Sequence, residues 1–140
     1  MDFIDTNILV YANDRRDSHK HNQCLKLLEK YLASGQAVIS TQVLYEYAST
    51  ALSKLGQKDS VVRRQIELLS SLQVVPQSAA LAIRAIEIKA LYGLSFWDAA
   101  IIAAAEAGRC KRILSEDMNA GQFYCGIQMV NPLAAPSSQD

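Results

Sequence analysis

The chain is poor in cysteine and has no long hydrophobic run. Its three cysteines, Cys24, Cys110 and Cys125, are odd in number and lack paired spacing. They therefore argue against a disulfide framework and indicate a reduced, intracellular protein. The most apolar window, Ala99 to Ala105, is far too short to span a bilayer, and the first residues lack the pattern of a signal peptide. These absences predict a cytoplasmic protein without a membrane partner.

An excess of charge of either sign is also missing. The sequence has 14 basic and 14 acidic residues and a formal net charge of zero. A protein that coats nucleic acid would normally be basic, so any contact with nucleic acid has to depend on local basic patches. Neither G-x-G-x-x-G nor a glycine-rich loop ending in Lys-Ser/Thr occurs, which excludes the usual phosphate loops of dinucleotide- and nucleotide-binding proteins.

What the chain does contain is an alternation of short apolar runs and helical patterns. Half of its 140 residues are hydrophobic, which is enough for one domain with a real core. Strands are predicted at residues 2–5, 37–39, 74–76, 112–115 and 127–130. Helical patterns separate most of these strands, and this arrangement predicts an α/β domain with a mostly parallel, covered sheet. We expect the domain to span residues 1–132 and a flexible tail to span 133–140.

Four carboxylates lie far apart in the sequence but at related places in this predicted fold. Asp5 ends the first strand, and Asp117 follows the strand that begins at Arg112. Glu46 lies in the second turn of the helix after the second strand, and Asp98 lies in the first turn of the apolar helix. Ligands of open α/β sheets bind outside the carboxyl ends of the strands. We therefore expect all four side chains to face one edge of the sheet.

Each of these acids also has an ordinary structural explanation. Asp98 follows Ser95 by three residues, as in a capping box. Asp5 suits the N-cap of the first helix. Taken alone, Glu46 is better explained as a solvated residue beside an apolar stripe, and Asp117 suits an ordinary polar loop. The joint pattern is stronger than any single member, because four independent placements point to one edge.

A group of carboxylates favours Mg²⁺ or Mn²⁺, because these hard cations take carboxylate oxygens and water as ligands. Such an ion polarises a phosphoryl oxygen and lowers the pKa of a bound water. A nearby carboxylate orients that water or accepts its proton. No Ser-His or Cys-His pair is evident in the sequence, so phosphodiester hydrolysis is the reaction that fits best.

Several segments around these acids resemble a known family when they are taken in order. The segments are Asp5-Thr6-Asn7 with the run Ile8 to Tyr11, then Glu46, Phe96-Trp97-Asp98-Ala99, and Leu114-Ser115-Glu116-Asp117-Met118. From Met1 to about Pro132 the chain resembles the PIN-domain ribonucleases, and most closely the VapC-type toxins of bacterial toxin–antitoxin pairs. The resemblance implies a three-layer fold with a short, mostly parallel, four- to five-stranded sheet flanked by helices. It also implies endonucleolytic cleavage of RNA that depends on Mg²⁺ or Mn²⁺.

The same resemblance assigns roles to individual residues. The catalytic and metal-binding set is Asp5, Glu46, Asp98 and Asp117, with Asp5 and Asp98 as the direct ligands by analogy. Residues that hydrogen-bond around the pocket are Thr6, Asn7 and Ser115. Whether Glu116 or Asp117 faces the metal is open, although the family pattern favours Asp117. The family further implies a homodimer and a cognate antitoxin protein that blocks the pocket.

Basic and aromatic residues outside this set are less specific. Candidates for contact with substrate phosphates are Arg15, Arg16 and Lys20, although an ordinary charged loop explains them equally well. Four aromatic residues could stack on bases or belong to the core or a dimer interface: Tyr45, Tyr47, Phe96 and Trp97. The cluster of His19, His21 and Cys24 fits no common zinc spacing.

Other function classes fit the acidic pattern less well. A phosphatase with an aspartyl nucleophile needs two acids two residues apart after the first strand, whereas Asp2 and Asp5 are three apart. A phospho-accepting receiver domain needs an adjacent acidic pair near its first strand. A catalytically silent PIN-like interaction module and a non-toxin PIN nuclease in RNA processing are the remaining alternatives.

Overall fold

The computed structural model describes residues 1–134, so most of the tail predicted at 133–140 lies outside the described residues. Strands and helices alternate along the chain. In order they are β1 (Asp2–Ile4), α1 (Thr6–Asn13), α2 (Ser18–Ser34), β2 (Ala37–Ser40), α3 (Thr41–Ser53), α4 (Asp59–Leu69), β3 (Gln73–Val75), α5 (Ala79–Tyr92), α6 (Phe96–Ala107), β4 (Arg112–Leu114), β5 (Phe123–Tyr124) and β6 (Ile127–Val130). The predicted α/β class and all five predicted strands are confirmed.

These strands form one sheet in the order β3-β2-β1-β4-β6-β5. Every pairing is parallel except that of β5 with β6, which is antiparallel. The sheet thus has six strands, one more than the upper limit of the expected four to five. The additional strand, β5, has only two residues and turns into β6 through Cys125 and Gly126, both at positive φ. A strand this short has no readable alternation, and cysteine is not a typical residue for such a turn.

The centre of the sheet is formed by β1, β2 and β4, in which every residue after the first is buried. Phe3 of β1 lies beside Val38 of β2 and Ile113 of β4, and all three side chains are fully buried. Continuous burial is what parallel strands require when helices cover both faces of a sheet. Six helices flank this sheet. The ends of β1 and β4 are therefore held in register at the edge where Asp5 and Asp117 were expected.

Helix α6 is the predicted apolar helix, and it begins near the same edge of the sheet. Gly93 ends α5 in the left-handed conformation, and Ser95 caps α6 by accepting a hydrogen bond from the backbone N–H of Asp98. Most of α6 is buried, as predicted, and it packs against β2, β4 and β6. Among residues 1–134 no single helix has the length and apolar character to cross a membrane. Of the described helices, α5 and α6 meet these criteria only when they are taken as a pair, and that pair is bent by 116°.

Candidate active site

The four predicted acids line a single pocket at the carboxyl edge of the sheet. Its volume is about 340 Å³. Asp5 and Asp117 reach it from the ends of β1 and β4, Glu46 from α3 and Asp98 from α6. The predicted supporting residues Thr6 and Asn7 also line it, whereas Ser115 is buried directly behind Asp5. The convergence expected from the positions of strand ends and helix starts is therefore present.

Asp5 is the only one of the four acids that is buried; 8% of its surface is exposed. Its backbone N–H donates to the carbonyl of Leu114 at 3.0 Å, which joins the ends of β1 and β4. Its Oδ1 accepts from the N–H of Thr6 at 2.8 Å, and its Oδ2 accepts from Ser115 Oγ at 2.8 Å. Asp5 is thus both the N-cap of α1 and a pocket acid, so its structural and functional explanations are compatible.

Burial raises the pKa of Asp5 from its ordinary value of 3.8 to about 6. The hydrogen bonds from Ser115 and Thr6 oppose this shift, and the nearby charges of Glu46 and Asp117 add to it. The ionised form is therefore disfavoured by low solvation and by like charge. A cation bound in this pocket would relieve both effects.

Asn7 and Ser115 fix the loop that follows β4. Asn7 Nδ2 donates to Ser115 Oγ at 3.2 Å and to Asp117 Oδ2 at 3.0 Å, and its Oδ1 accepts from the N–H of Glu116 at 3.0 Å. The N–H of Asp117 donates to Ser115 Oγ at 3.2 Å. These bonds tie the loop to the first turn of α1 and direct the Asp117 carboxylate into the pocket.

Glu116, the alternative to Asp117, points elsewhere. Its Oε1 accepts from Tyr11 Oη at 3.1 Å and from Lys20 Nζ at 2.9 Å. Its other oxygen is buried and has no hydrogen-bond partner among the described residues. Asp117 rather than Glu116 therefore lines the pocket. Lys20 is bound to the same loop instead of standing free for a substrate.

Glu46 and Asp98 reach the pocket from two helices and are more exposed than Asp5. Glu46 Oε1 accepts from Gln42 Nε2 at 2.7 Å, and the same nitrogen donates to the backbone carbonyl of Trp97 at 3.3 Å. Gln42 therefore couples α3 to the first turn of α6. Asp98 follows its cap Ser95, whose Oγ accepts from the Asp98 N–H at 3.2 Å, as the capping pattern predicted.

The residues of the pocket fit a hydrated hard cation better than a cage of protein ligands. Within residues 1–134 no three His, Cys, Asp or Glu side chains stand close enough together to hold an ion by themselves. Mg²⁺ usually keeps several waters and takes one or two carboxylates directly. The hydroxyl of Thr6 is buried and lacks a hydrogen-bond partner in the described chain. It is one more oxygen available to such an ion or to its waters.

Two of the three basic candidates lie in a neighbouring hollow of about 370 Å³. Arg15 and Arg16 line it together with Lys54, and the hollow shares Asp14 and Lys54 with the acidic pocket. Arg16 is bound to Asp14 through Nε at 2.9 Å and Nη2 at 2.7 Å, and these bonds lower the pKa of Asp14 to about 2. Arg15 and Lys54 are exposed and line this hollow.

Lys54 is a pocket residue that the sequence analysis missed, although the sequence carries its signal. Gln42, Glu46, Thr50 and Lys54 follow one another at intervals of four, and all four line the acidic pocket. Residues four apart share one face of a helix. Once Glu46 faces the pocket, the polar residues at these intervals are expected to face it as well.

Comparison with known proteins agrees with this architecture. A toxin–antitoxin complex from Klebsiella pneumoniae matches with a TM-score of 0.70 and 25% identity, over 94% of this chain and 98% of that one. VapC20 of Mycobacterium tuberculosis, a toxin that cleaves the sarcin–ricin loop, matches with a TM-score of 0.65 and 21% identity, over 84% and 92%. VapBC2 of Rickettsia felis, bound to a DNA fragment from its promoter, matches with a TM-score of 0.64 and 19% identity, over 91% of this chain and 96% of that one.

The last two similarities concern the fold alone. No curated protein matches the sequence. The family model of the PIN domain, however, matches residues 3–123, which contain all four acids of the pocket. The expected family is thereby confirmed: the chain belongs to the PIN domain family.

Proposed function

We propose that this chain is a metal-dependent endoribonuclease, and that it is the toxin of a toxin–antitoxin pair. The observation that carries the proposal is the convergence of Asp5, Glu46, Asp98 and Asp117 on one pocket. Carboxylates from four separate segments gain nothing from this crowding unless a cation compensates their charge. We assign the activity to a single domain over residues 1–132 and to the cytoplasm, because RNA is the substrate.

We assign Asp5 and Asp98 as the direct ligands of Mg²⁺ or Mn²⁺, with Glu46 and Asp117 acting directly or through water. The ion supplies a polarised phosphoryl oxygen and a more acidic water. Asn7 orients Asp117, and Ser115 orients Asp5, through hydrogen bonds of 3.0 and 2.8 Å. Glu46 is exposed to the pocket and would accept the proton of the attacking water. The phosphorus–oxygen bond opposite the water would break, and the leaving oxygen would depart with one RNA fragment and take up a proton from solvent.

The substrate backbone would approach over the neighbouring basic hollow. Arg15 and Lys54 are exposed there, and Lys54 lines both cavities. Phosphate contacts of this kind position a nucleic acid without reading its sequence. We retain Arg16 as a weaker candidate because it is bound to Asp14, and we reassign Lys20 to holding the Glu116 loop.

A cognate antitoxin and a homodimer belong to the same proposal. The similarity to the toxin–antitoxin complex of Klebsiella pneumoniae over nearly the whole of both chains supports the antitoxin. Exposed apolar residues on α5, among them Ile83, Ile86 and Leu91, support an interface with another chain. Expression of the chain alone should arrest bacterial growth. Normal growth at high soluble expression would contradict the toxin role without contradicting the nuclease.

The enzymatic proposal is tested by Asp98→Asn. Asp98 is exposed and lies in the pocket, so the substitution should leave the fold intact and abolish cleavage of total RNA in Mg²⁺ or Mn²⁺. Asp59→Asn is the matched control, because the Asp59 side chain is 81% exposed on α4, away from the pocket, and forms an ion pair with Arg63. Sequencing of RNA 5′ ends after brief induction measures both variants. Equal cleavage by Asp98→Asn and Asp59→Asn would refute the proposal.

A further inference from the structure

A second hollow, which we call the aromatic hollow, adjoins the acidic pocket. It has a volume of about 390 Å³ and is lined by Gln42, Tyr45, Glu46, Gln77 and Trp97. Tyr45 is 69% exposed and Trp97 is 60% exposed. Of the aromatic residues considered for base stacking, Tyr47 is buried in the core. The side chains of Tyr45 and Trp97, unlike that of Tyr47, therefore lie largely outside the packed core.

The aromatic hollow is continuous with the acidic pocket. Gln42, Glu46 and Trp97 line both cavities. Gln42 is buried, and its side-chain amide bonds the Glu46 carboxylate at 2.7 Å and the Trp97 carbonyl at 3.3 Å. One amide thus connects the indole-bearing residue to an acid of the pocket. A group seated on Trp97 lies beside whatever the acids hold.

The Trp97 ring is held in place before any ligand arrives. It packs edge to face against Phe96, with ring centroids 5.2 Å apart and an interplanar angle of 77°. Phe96 in turn packs against the hydrophobic core. Aromatic pairs prefer this geometry, and a restrained ring loses little conformational entropy when it binds. Trp97 is therefore an exposed but preorganised stacking surface.

The lining chemistry selects the class of ligand. Of the five described residues that line the hollow, none is basic and one, Glu46, is acidic, so a phosphate group is disfavoured. Two aromatic rings offer stacking, and the exposed amide of Gln77 offers both a donor and an acceptor. A planar heterocycle with hydrogen-bonding edges matches both features, and a nucleobase is such a group.

We propose that the aromatic hollow binds one unstacked nucleobase of the RNA, next to the phosphate that is cleaved. Tyr45 and Trp97 stack on the base, and Gln77 bonds its edge. This inference rests on the proposed nuclease function, since it takes RNA as the occupant. It follows that the RNA around the cleaved bond is single-stranded, because a base paired within a duplex cannot enter the hollow.

Trp97 itself provides the measurement, because it is the single tryptophan of the chain. The wild-type protein, kept free of metal with EDTA so that RNA stays intact, is titrated with single-stranded oligoribonucleotides of about six nucleotides. We expect saturable quenching of tryptophan fluorescence. An oligomer of equal length and charge that carries abasic riboses should quench little, as should a duplex. Equal quenching by the abasic oligomer would overturn the proposal, because the backbone alone would then explain the signal.

Variants test the same site by anisotropy of a labelled oligomer, which does not need the tryptophan. Tyr45→Leu and Trp97→Leu should each weaken binding by about 5- to 150-fold, the range for loss of one stacking contact. Phe123→Leu is the matched control, because Phe123 is 58% exposed but lies on the edge strand β5. If Tyr45→Leu weakens binding no more than Phe123→Leu, the base site is refuted.

Two further outcomes separate this inference from the nuclease proposal. Unchanged binding by Trp97→Leu together with full RNA cleavage would refute the base site and leave the nuclease intact. Saturable quenching by oligomers without cleavage of any RNA would support base binding and refute the nuclease. A tryptophan signal that changes with protein concentration but not with added RNA would overturn the base site in favour of contact between two copies of the chain.

Discussion

The two ends of β1 carry the same side chain in opposite electrostatic surroundings. At the amino end, Asp2 accepts hydrogen bonds from Arg112 Nε at 3.0 Å and Nη2 at 2.6 Å, and another from Tyr31 Oη. Burial raises the pKa of Asp2, but the bonds from Arg112 and Tyr31 outweigh it, so that the pKa lies below its ordinary value. At the carboxyl end, Asp5 has no basic partner among the described residues, and its pKa is raised to about 6.

The difference shows that position in the sheet, rather than residue type, separates structural from functional acids. All amino ends of the parallel strands lie at one edge, where Arg112 of β4 meets Asp2 of β1. All carboxyl ends lie at the other edge, where the acids from four segments meet. The fold neutralises its charge at the first edge and leaves it uncompensated at the second. Perturbed, unpaired charge in a cleft is typical of functional sites.

The largest expected effect is on RNA cleavage by variants of the two ends. Asp5→Asn should lower the rate by at least about 100-fold, the scale of loss when a catalytic carboxylate is removed. Asp2→Asn should leave the rate within a few-fold of wild type, because Arg112 and Tyr31 lie at the opposite edge. Single-turnover cleavage of one labelled RNA in Mg²⁺ measures both. A comparable loss in the two variants would remove the functional distinction between the edges.

The same pair should respond in opposite directions when stability is measured without metal. The raised pKa of Asp5 means that the native state holds a proton which the unfolded chain releases between about pH 4 and pH 6. Stability therefore falls as pH rises through this window. Asp5→Asn removes this cost and should stabilise the protein at neutral pH by up to about 3 kcal/mol, since one pKa unit corresponds to about 1.4 kcal/mol.

Asp2 has the opposite sign, because its lowered pKa gives stability that is present above about pH 4 and is lost as the acid is protonated at lower pH. Asp2→Asn should cost about 1 to 2 kcal/mol at neutral pH, as Arg112 is 46% exposed and the bond is partly screened. Urea unfolding in EDTA at several pH values measures both variants. If Asp5→Asn destabilises the protein at neutral pH, the hydrogen bonds that Asp5 accepts contribute more to stability than its buried charge costs.

The contrast between the two edges was largely readable from the sequence, because it depends on strand ends. The position of Asp5 after a buried strand and of Asp117 after another predicted their meeting, and the fold confirms it. The choice between Glu116 and Asp117 was favoured by the family resemblance alone, because it depends on how Asn7 binds the loop. No periodicity describes a loop held by a side chain 110 residues away.

Surface exposure was the second limit. Tyr47 and Trp97 both lie in apolar stretches, yet Tyr47 is buried and Trp97 is 60% exposed. Tyr47 is buried because α3 packs against α1 and α4, where its hydroxyl donates to Gln65 Oε1 at 2.6 Å. Lys54 is different, because its spacing from Glu46 is enough to place it on the same side of the helix.

A smaller effect is expected at Ser115, which is buried behind Asp5 at the acidic edge of the sheet. Ser115 Oγ donates to Asp5 and accepts from Asn7 and from the N–H of Asp117. Ser115→Ala should weaken Mn²⁺ binding by about 10- to 100-fold, as expected for loss of a group that orients a ligand. It should also raise the pKa of Asp5 further, since the Ser115 bond lowers it.

Manganese titration followed by electron paramagnetic resonance measures this effect without reference to cleavage. Ser70→Ala is the matched control, because Ser70 is exposed and its hydroxyl donates to the carbonyl of Ile66 at the end of α4. A Ser115→Ala protein with unchanged Mn²⁺ affinity would show that Asp5 keeps its orientation without this hydroxyl. In that case the buried network at this edge would serve folding and not the site.

The smallest expected effect concerns Lys54, the one basic residue among the described residues that line the acidic pocket. A lysine beside four acids lowers their mutual repulsion, but it also lines the hollow with Arg15, where a phosphate of the RNA would lie. Lys54→Gln should therefore weaken RNA binding a few-fold and reduce the slope of log K against log salt by about 0.7, the value for one phosphate contact on a single strand. Lys89→Gln, at an exposed position on α5, should leave the slope unchanged. If Lys54→Gln alters the Mn²⁺ affinity but not the salt slope, Lys54 compensates the charge of the acids and does not bind the substrate. The net negative charge at this edge is then smaller than the four carboxylates alone suggest.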